Sequence, residues 1–160
     1  MALPVTEPEG DHDRVDATPP FDRNGLEVLD RETSLRLLAS AVLGRIGVTD
    51  RALPVILPVN FVLDGDQVLV RTSVGTKLLA AAAGAVVAFE VDDFDPMDHA
   101  GWSVTITGPA REVTDPADLE RIRHLPLPHW TPAAGHVIAI DPAIVSGRRL
   151  VPGHAVGRGS

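Results

Sequence analysis

Seven consecutive residues, Arg71-Thr72-Ser73-Val74-Gly75-Thr76-Lys77, hold the densest anion-binding chemistry in this 160-residue chain. They follow an apolar, strand-like run and open an alanine-rich helical segment. Two cations, three hydroxyls and a glycine at a helix start suit a phosphate. Backbone N–H groups and the positive end of the helix dipole favour an anion there, hydroxyls add short hydrogen bonds, and an arginine can bind in two-pronged fashion. Lys77 is the only lysine, since every other basic side chain is an arginine. The spacing is neither the G-x-x-x-x-G-K-[ST] of a P-loop nor the G-x-G-x-x-G of a dinucleotide fingerprint. An ordinary strand–turn–helix connection, with Ser or Thr as the cap, would use the same residue types.

Asn60 is the second informative residue. It lies among Val55-Ile56-Leu57-Pro58-Val59 and Phe61, and a buried amide must find a hydrogen-bond partner. A ligand heteroatom could serve, and so could a backbone carbonyl. Phe61 and Trp102 can wall a flat apolar slot or pack in a core, with core packing the stronger reading for Phe61.

Other chemistries find no pattern. The six histidines show no H-E-x-x-H and no helical i, i+4 pairing, so no metal site is expected. The acidic run Asp92-Asp93-Phe94-Asp95-Pro96-Met97-Asp98-His99 lacks the glycine and closing glutamate of an EF-hand and reads as a solvated loop. No G-x-S-x-G marks a hydrolase nucleophile. No side chain is assigned as a catalytic acid or base.

Composition bounds the class. The chain is 44% apolar, has no cysteine and carries a net charge of −8. Eight of its acids fall in the first 30 residues against Arg14 and Arg23, which leaves the rest nearly neutral. Neither a basic face nor a basic tail suits nucleic acid. No apolar stretch reaches membrane-spanning length, so the expectation is a cytoplasmic protein with no membrane partner. Residues 1–27 read as a disordered acidic arm, 28–151 as one domain and 152–160 as a flexible tail.

The elements that position these residues follow from hydrophobic periodicity. An amphipathic helix is predicted near 31–41. Strands are predicted over 45–49, 54–63 and 67–72, the last two joined by the turn Asp64-Gly65-Asp66. A short alanine helix from Lys77 to Ala83 stops at Gly84. Further strands cover 85–91 and 102–113, a helix capped by Thr114 or Asp115 runs through Arg123, and a last strand spans 135–150 with a break at Asp141-Pro142. Hairpins dominate, so the fold is expected to be mainly β (α+β): six antiparallel strands closed as a small barrel with short flanking helices.

In this order and spacing the motifs resemble the pyridoxamine 5′-phosphate oxidase-like family of FMN-binding split barrels. The resemblance rests on Leu37-Leu38 before Gly44-Arg45-Ile46-Gly47, on Pro58-Val59-Asn60-Phe61, on Arg71 to Lys77, and on Gly101-Trp102-Ser103-Val104 running into Gly108-Pro109-Ala110. It implies a homodimer with flavin sites in the subunit interface and a small-molecule substrate. Arg71, Thr72, Ser73, Gly75, Thr76 and Lys77 would hold the phosphate and ribityl chain. Val59, Asn60 and Phe61 would line the ring, and Trp102 and Ser103 would approach from the partner subunit or close the pocket mouth. The activity implied is FMN-dependent oxidoreduction, the alternatives being a deazaflavin-dependent reductase or a non-catalytic flavin- or haem-binding protein. The C-terminal substrate-phosphate motif of the true pyridoxamine phosphate oxidases is not recognisable, Ser146-Gly147-Arg148-Arg149 being a poor substitute, so vitamin B6 oxidation is not the expected reaction.

Overall fold

The computed structural model describes residues 20–72, 77–127 and 135–152. Along the chain come β1 (Glu27–Leu29), α1 (Arg31–Ala39), β2 (Leu43–Asp50), β3 (Leu53–Asp64), β4 (Gln67–Thr72), α2 (Lys77–Ala82), β5 (Val86–Asp95), β6 (Ala100–Glu112), α3 (Pro116–Arg123), β7 (His136–Ile140) and β8 (Ile144–Leu150). Six strands close on themselves in the order β6, β5, β2, β3, β4, β7 and back to β6, every pairing antiparallel. This is the six-stranded antiparallel split barrel expected from the sequence.

Strand β6 allows both closure and extension. Its first half, Gly101 to Thr107, pairs with β8, while Ala110 to Glu112 pairs with β7. The segment 135–150 is therefore two strands on different parts of β6, not one interrupted strand. The corner at Asp141-Pro142 is fixed by the Asp141 N–H on the Pro109 carbonyl (3.0 Å) and the Ala143 N–H on Asp141 (2.9 Å). Gly108 is required beside it, because a Cβ there would strike the Asp141 carbonyl.

Two further departures from the sequence reading concern acidic segments. Asp92 to Asp95 continue β5 against Ser103 to Ala100, and only the tip beyond is a loop, where the Asp95 carboxylate accepts from the Met97 N–H at 2.8 Å. The chain from Pro20 onward belongs to the fold, although the acidic arm was expected to run to residue 27. Asp22 accepts from the backbone N–H groups of Asn24 and Leu26, Phe21 bridges to Glu27, and β1 pairs with β8. Ion pairs Asp22–Arg148 (3.2 Å) and Glu27–Arg149 (3.1 Å) tie this edge down.

Alternation sorts the side chains. Ile46, Val48, Phe61, Val68, Val70, Phe89, Val104, Ile106, Ile138 and Ile140 fill the barrel with Leu38 of α1 and Leu78 of α2. A smaller cluster on the outside joins Leu69, Val113, Val137 and Ala139 to Ile122 of α3. Helix α3 is capped as expected: Asp115 accepts from the N–H groups of Ala117 and Asp118, and Pro116 occupies the first turn.

Candidate functional site

Strand β4 ends at Thr72 and α2 begins at Lys77, so the segment Arg71 to Lys77 runs from a strand end to a helix start. Ser73, Gly75 and Thr76 lie outside the described residues. Of Lys77 only the backbone, at the helix start, is described. Thr72 is buried, on the barrel side of β4 with Val68 and Val70. Across from it on β7 stands His136, half-buried and contacting Glu112 through its Nδ1. The His136–Glu112 pair beside the corner was invisible in the sequence, because 24 residues separate the two.

Arg71 points the other way. It shares its face with Leu69, which packs under α3, and successive strand residues face opposite sides. Burial first, and then the like charge of Arg123 at the end of α3, hold its guanidinium below its ordinary value. Arg71 and Thr72 are thus neighbours in sequence whose side chains leave opposite faces of the sheet.

Strand β3 divides its residues in the same manner. Phe61 is 2% exposed and meets Phe89 edge-to-face at 4.9 Å between ring centroids. Gly44 makes room for the Phe89 ring, since a Cβ at that position would collide with it. Val59 also packs on the barrel core. Neither side chain can wall an outer slot, and the Phe61 N–H is spent on the Val42 carbonyl at 3.3 Å. Asn60 alone of the three faces outward. Its buried Nδ2 has no hydrogen-bond partner among the described residues.

The β3–β4 ladder begins at Phe61–Val70, and just before it Asn60 is paired with Leu43 of β2. Leu43 is 48% exposed and the adjoining Val42 62%. The outward row of Leu43 and Asn60 therefore sets an amide donor, unmatched among the described residues, beside exposed apolar surface. An orphaned N–H of this kind costs about 1–3 kcal/mol while unmatched, so the row suits a ligand edge that accepts hydrogen bonds.

Trp102 and Ser103 are not part of that row's immediate surroundings. Ser103 lies three strands away from Asn60, about 14 Å at ordinary strand spacing. Trp102 faces the barrel side, partly packed on the core, and opens into a groove of ≈ 390 Å³ shared with Asp93, Asp95 and Arg149. Between the two regions, Arg45 is held on the outer face by Asp92 at 2.7 Å and Glu90 at 3.5 Å. Among the described residues no group of three or more His, Asp or Glu side chains could hold a metal ion, and no helix is long and apolar enough to cross a membrane.

A closed barrel of six antiparallel strands with short flanking helices belongs to the split-barrel class. Residues 30–149 match the family model described as pyridoxamine 5′-phosphate oxidase, and the chain belongs to that family. Among individual proteins, the uncharacterized protein Rv0080 of Mycobacterium tuberculosis is 44% identical over 140 residues, covering 84% of this chain and 91% of that one. The solved structure of the FAD binding protein from Mycobacterium smegmatis is 40% identical with a TM-score of 0.68, over 77% of this chain and 97% of that one. A conserved protein of unknown function from Corynebacterium diphtheriae is 35% identical, also with a TM-score of 0.68, over 79% and 99% of the two chains.

Proposed function

We propose that this protein binds a flavin nucleotide on the outer row of Leu43 and Asn60, with its phosphate at the corner from Arg71 to Lys77, and acts as an oxidoreductase on a small molecule. The observation that carries the reading is the unmatched Asn60 Nδ2 beside the exposed apolar surface of Leu43. A flavin ring has a flat apolar body and an acceptor-rich polar edge, and it fits this set. When bound, the flavin supplies hydride and single-electron transfer. The chain's own part is to hold the phosphate with Thr72, Ser73 and Lys77, seat the ring on Val42 and Leu43, and satisfy its edge from Asn60. FMN is the cofactor proposed, and FAD is the second reading, favoured by the 40% identical FAD binding protein.

The partner proposed is a second copy of the chain. Ile56, Gly47, Ala88, Thr107 and Ile144 form one continuous outer row across five strands. In it Ile56 is 71% and Ile144 64% exposed, with Val86 at 69% nearby. Apolar surface of this kind on a sheet face supports an interaction site there, and a two-fold interface would use the same patch on both copies. Trp102 and Ser103, remote from Asn60 within one subunit, would then reach the ring from the partner.

Titration of the purified protein with FMN, FAD, riboflavin and a deazaflavin, followed by flavin fluorescence, tests the reading. Saturable binding of FMN or FAD is expected, and binding of the deazaflavin alone would replace the reading by the reductase alternative. Reduction of the bound flavin by a nicotinamide or another donor tests catalysis. A flavin that no donor reduces would leave a binding protein.

A further inference from the structure

We infer that Asn24 is a site of spontaneous deamidation, and that the small hairpin carrying it holds the reaction back until the hairpin opens. The chain has two asparagines, and only Asn24 is followed by glycine. Glycine has no Cβ to obstruct a ring closing at its own nitrogen. The reaction needs only this dipeptide and water. The Gly25 nitrogen attacks the side-chain carbonyl carbon of Asn24, a C–N bond forms, and ammonia leaves with the proton that Gly25 gives up. Water then opens the cyclic imide at either carbonyl, which yields aspartate or, with the backbone routed through Cβ, isoaspartate. Nothing is oxidised or reduced.

The structure both exposes the site and restrains it. Asn24 is exposed at the hairpin tip, so water reaches it. The stem is closed by the Val28 N–H on the Pro20 carbonyl at 2.8 Å and the Asp22 N–H on the Leu26 carbonyl at 2.9 Å. Within the turn the attacking group is occupied, because the Gly25 N–H donates to the Asp22 carbonyl at 2.9 Å. The proton that must leave is the one held there. The Asp22 carboxylate fixes the backbone on either side, accepting from the Asn24 N–H at 2.9 Å and the Leu26 N–H at 3.0 Å, and it is itself anchored by Arg148 Nε at 3.2 Å. Cyclisation must swing the Gly25 nitrogen onto the Asn24 side chain, and these bonds forbid that rotation. The hairpin leads into only three residues of β1, so it can open locally while the barrel stays folded. Isoaspartate adds a methylene to the backbone, and the same turn cannot re-form. Leu26 and Arg148 line a groove of ≈ 220 Å³ with Trp102 and Ser103, so the modification removes one wall of that groove for good.

The test follows the peptide containing Asn24 by mass spectrometry, with chromatography to resolve isoaspartate, after incubating the full chain at mildly alkaline pH with and without urea. Conversion in urea is expected to be faster than in the folded protein by about tenfold or more. Asp22→Ala, which removes the carboxylate anchor, should bring the folded rate most of the way to the urea rate. If that variant fails to fold, Arg148→Gln loosens the same anchor from β8 and should accelerate the folded reaction by a smaller factor. Asn24 that stays intact in urea is not a deamidation site. Conversion as fast in the folded protein as in urea, or a folded variant that reacts at the wild-type rate, overturns the guarding role of the hairpin.

Discussion

Replacing Asn60 by leucine should make the ligand-free protein more stable and a poorer flavin binder. The two effects have one cause. In the free protein the buried Nδ2 has given up water without gaining an acceptor, a penalty of about 1–3 kcal/mol for a fully desolvated group. Asn60 as a whole is only part-buried, which puts the gain near the lower end, about 1 kcal/mol. Leucine is close in volume and sits beside Leu43, so it adds apolar contact without crowding the core. In urea unfolding of ligand-free protein at fixed concentration, the midpoint should rise by the equivalent of ~1 kcal/mol, and in thermal unfolding by about 4 °C. Flavin affinity should fall about fivefold, the worth of one neutral hydrogen bond. A variant that is less stable than wild type and binds flavin equally well would refute the reasoning, because it would mean that Asn60 is matched inside the protein.

Other perturbations bear on the fold around the site. Arg51 and Ala52, which turn β2 into β3, both have positive φ, 49° and 65°, and Ala52→Gly should stabilise by about 1 kcal/mol in the same unfolding assay. The Leu26 N–H foremost, with help from Asn24 and Arg148, holds the Asp22 carboxyl below its ordinary 3.8. A depressed folded-state value means stability that is present above pH 3.8 and is lost as the pH falls through the lower folded value. Asp22→Asn should therefore be less stable than wild type near neutrality, with the difference vanishing in strong acid, as urea unfolding at several pH values would measure. Ile56→Lys combined with Ile144→Lys should convert a dimer to monomers in sedimentation analysis, because it puts charges into the proposed apolar interface; an unchanged dimer would locate the interface elsewhere.

Much of this was legible in the sequence because the signals are local. Period-two alternation marked the barrel strands, the Asp64-Gly65-Asp66 turn gave the β3–β4 hairpin, and Asp115-Pro116 gave the start of α3. The motifs that resemble the family fall inside the matched residues 30–149. What escaped depends on pairing between distant segments. Nothing local distinguishes Asp92 to Asp95 as strand, since four exposed positions in an acidic run become ordered only by pairing with Ala100 to Ser103. The three residues of β1 carry no period of their own and exist through β8. The break at Asp141-Pro142 was visible, but not that the chain crosses to another part of β6 there. At the site, the resemblance grouped Arg71 with Thr72 and Asn60 with Phe61, whereas the pleat sends the members of each pair to opposite faces.

On the proposed reading, this barrel holds a flavin by ring and phosphate together. The most direct test is the absorption spectrum of freshly purified protein, before and after adding FMN or FAD, with mass spectrometry of whatever is released. A flavin spectrum, and a released mass equal to FMN or FAD, is the predicted result. A protein that stays colourless and unchanged with both nucleotides in excess, or one that shows the Soret band of haem, would contradict the account.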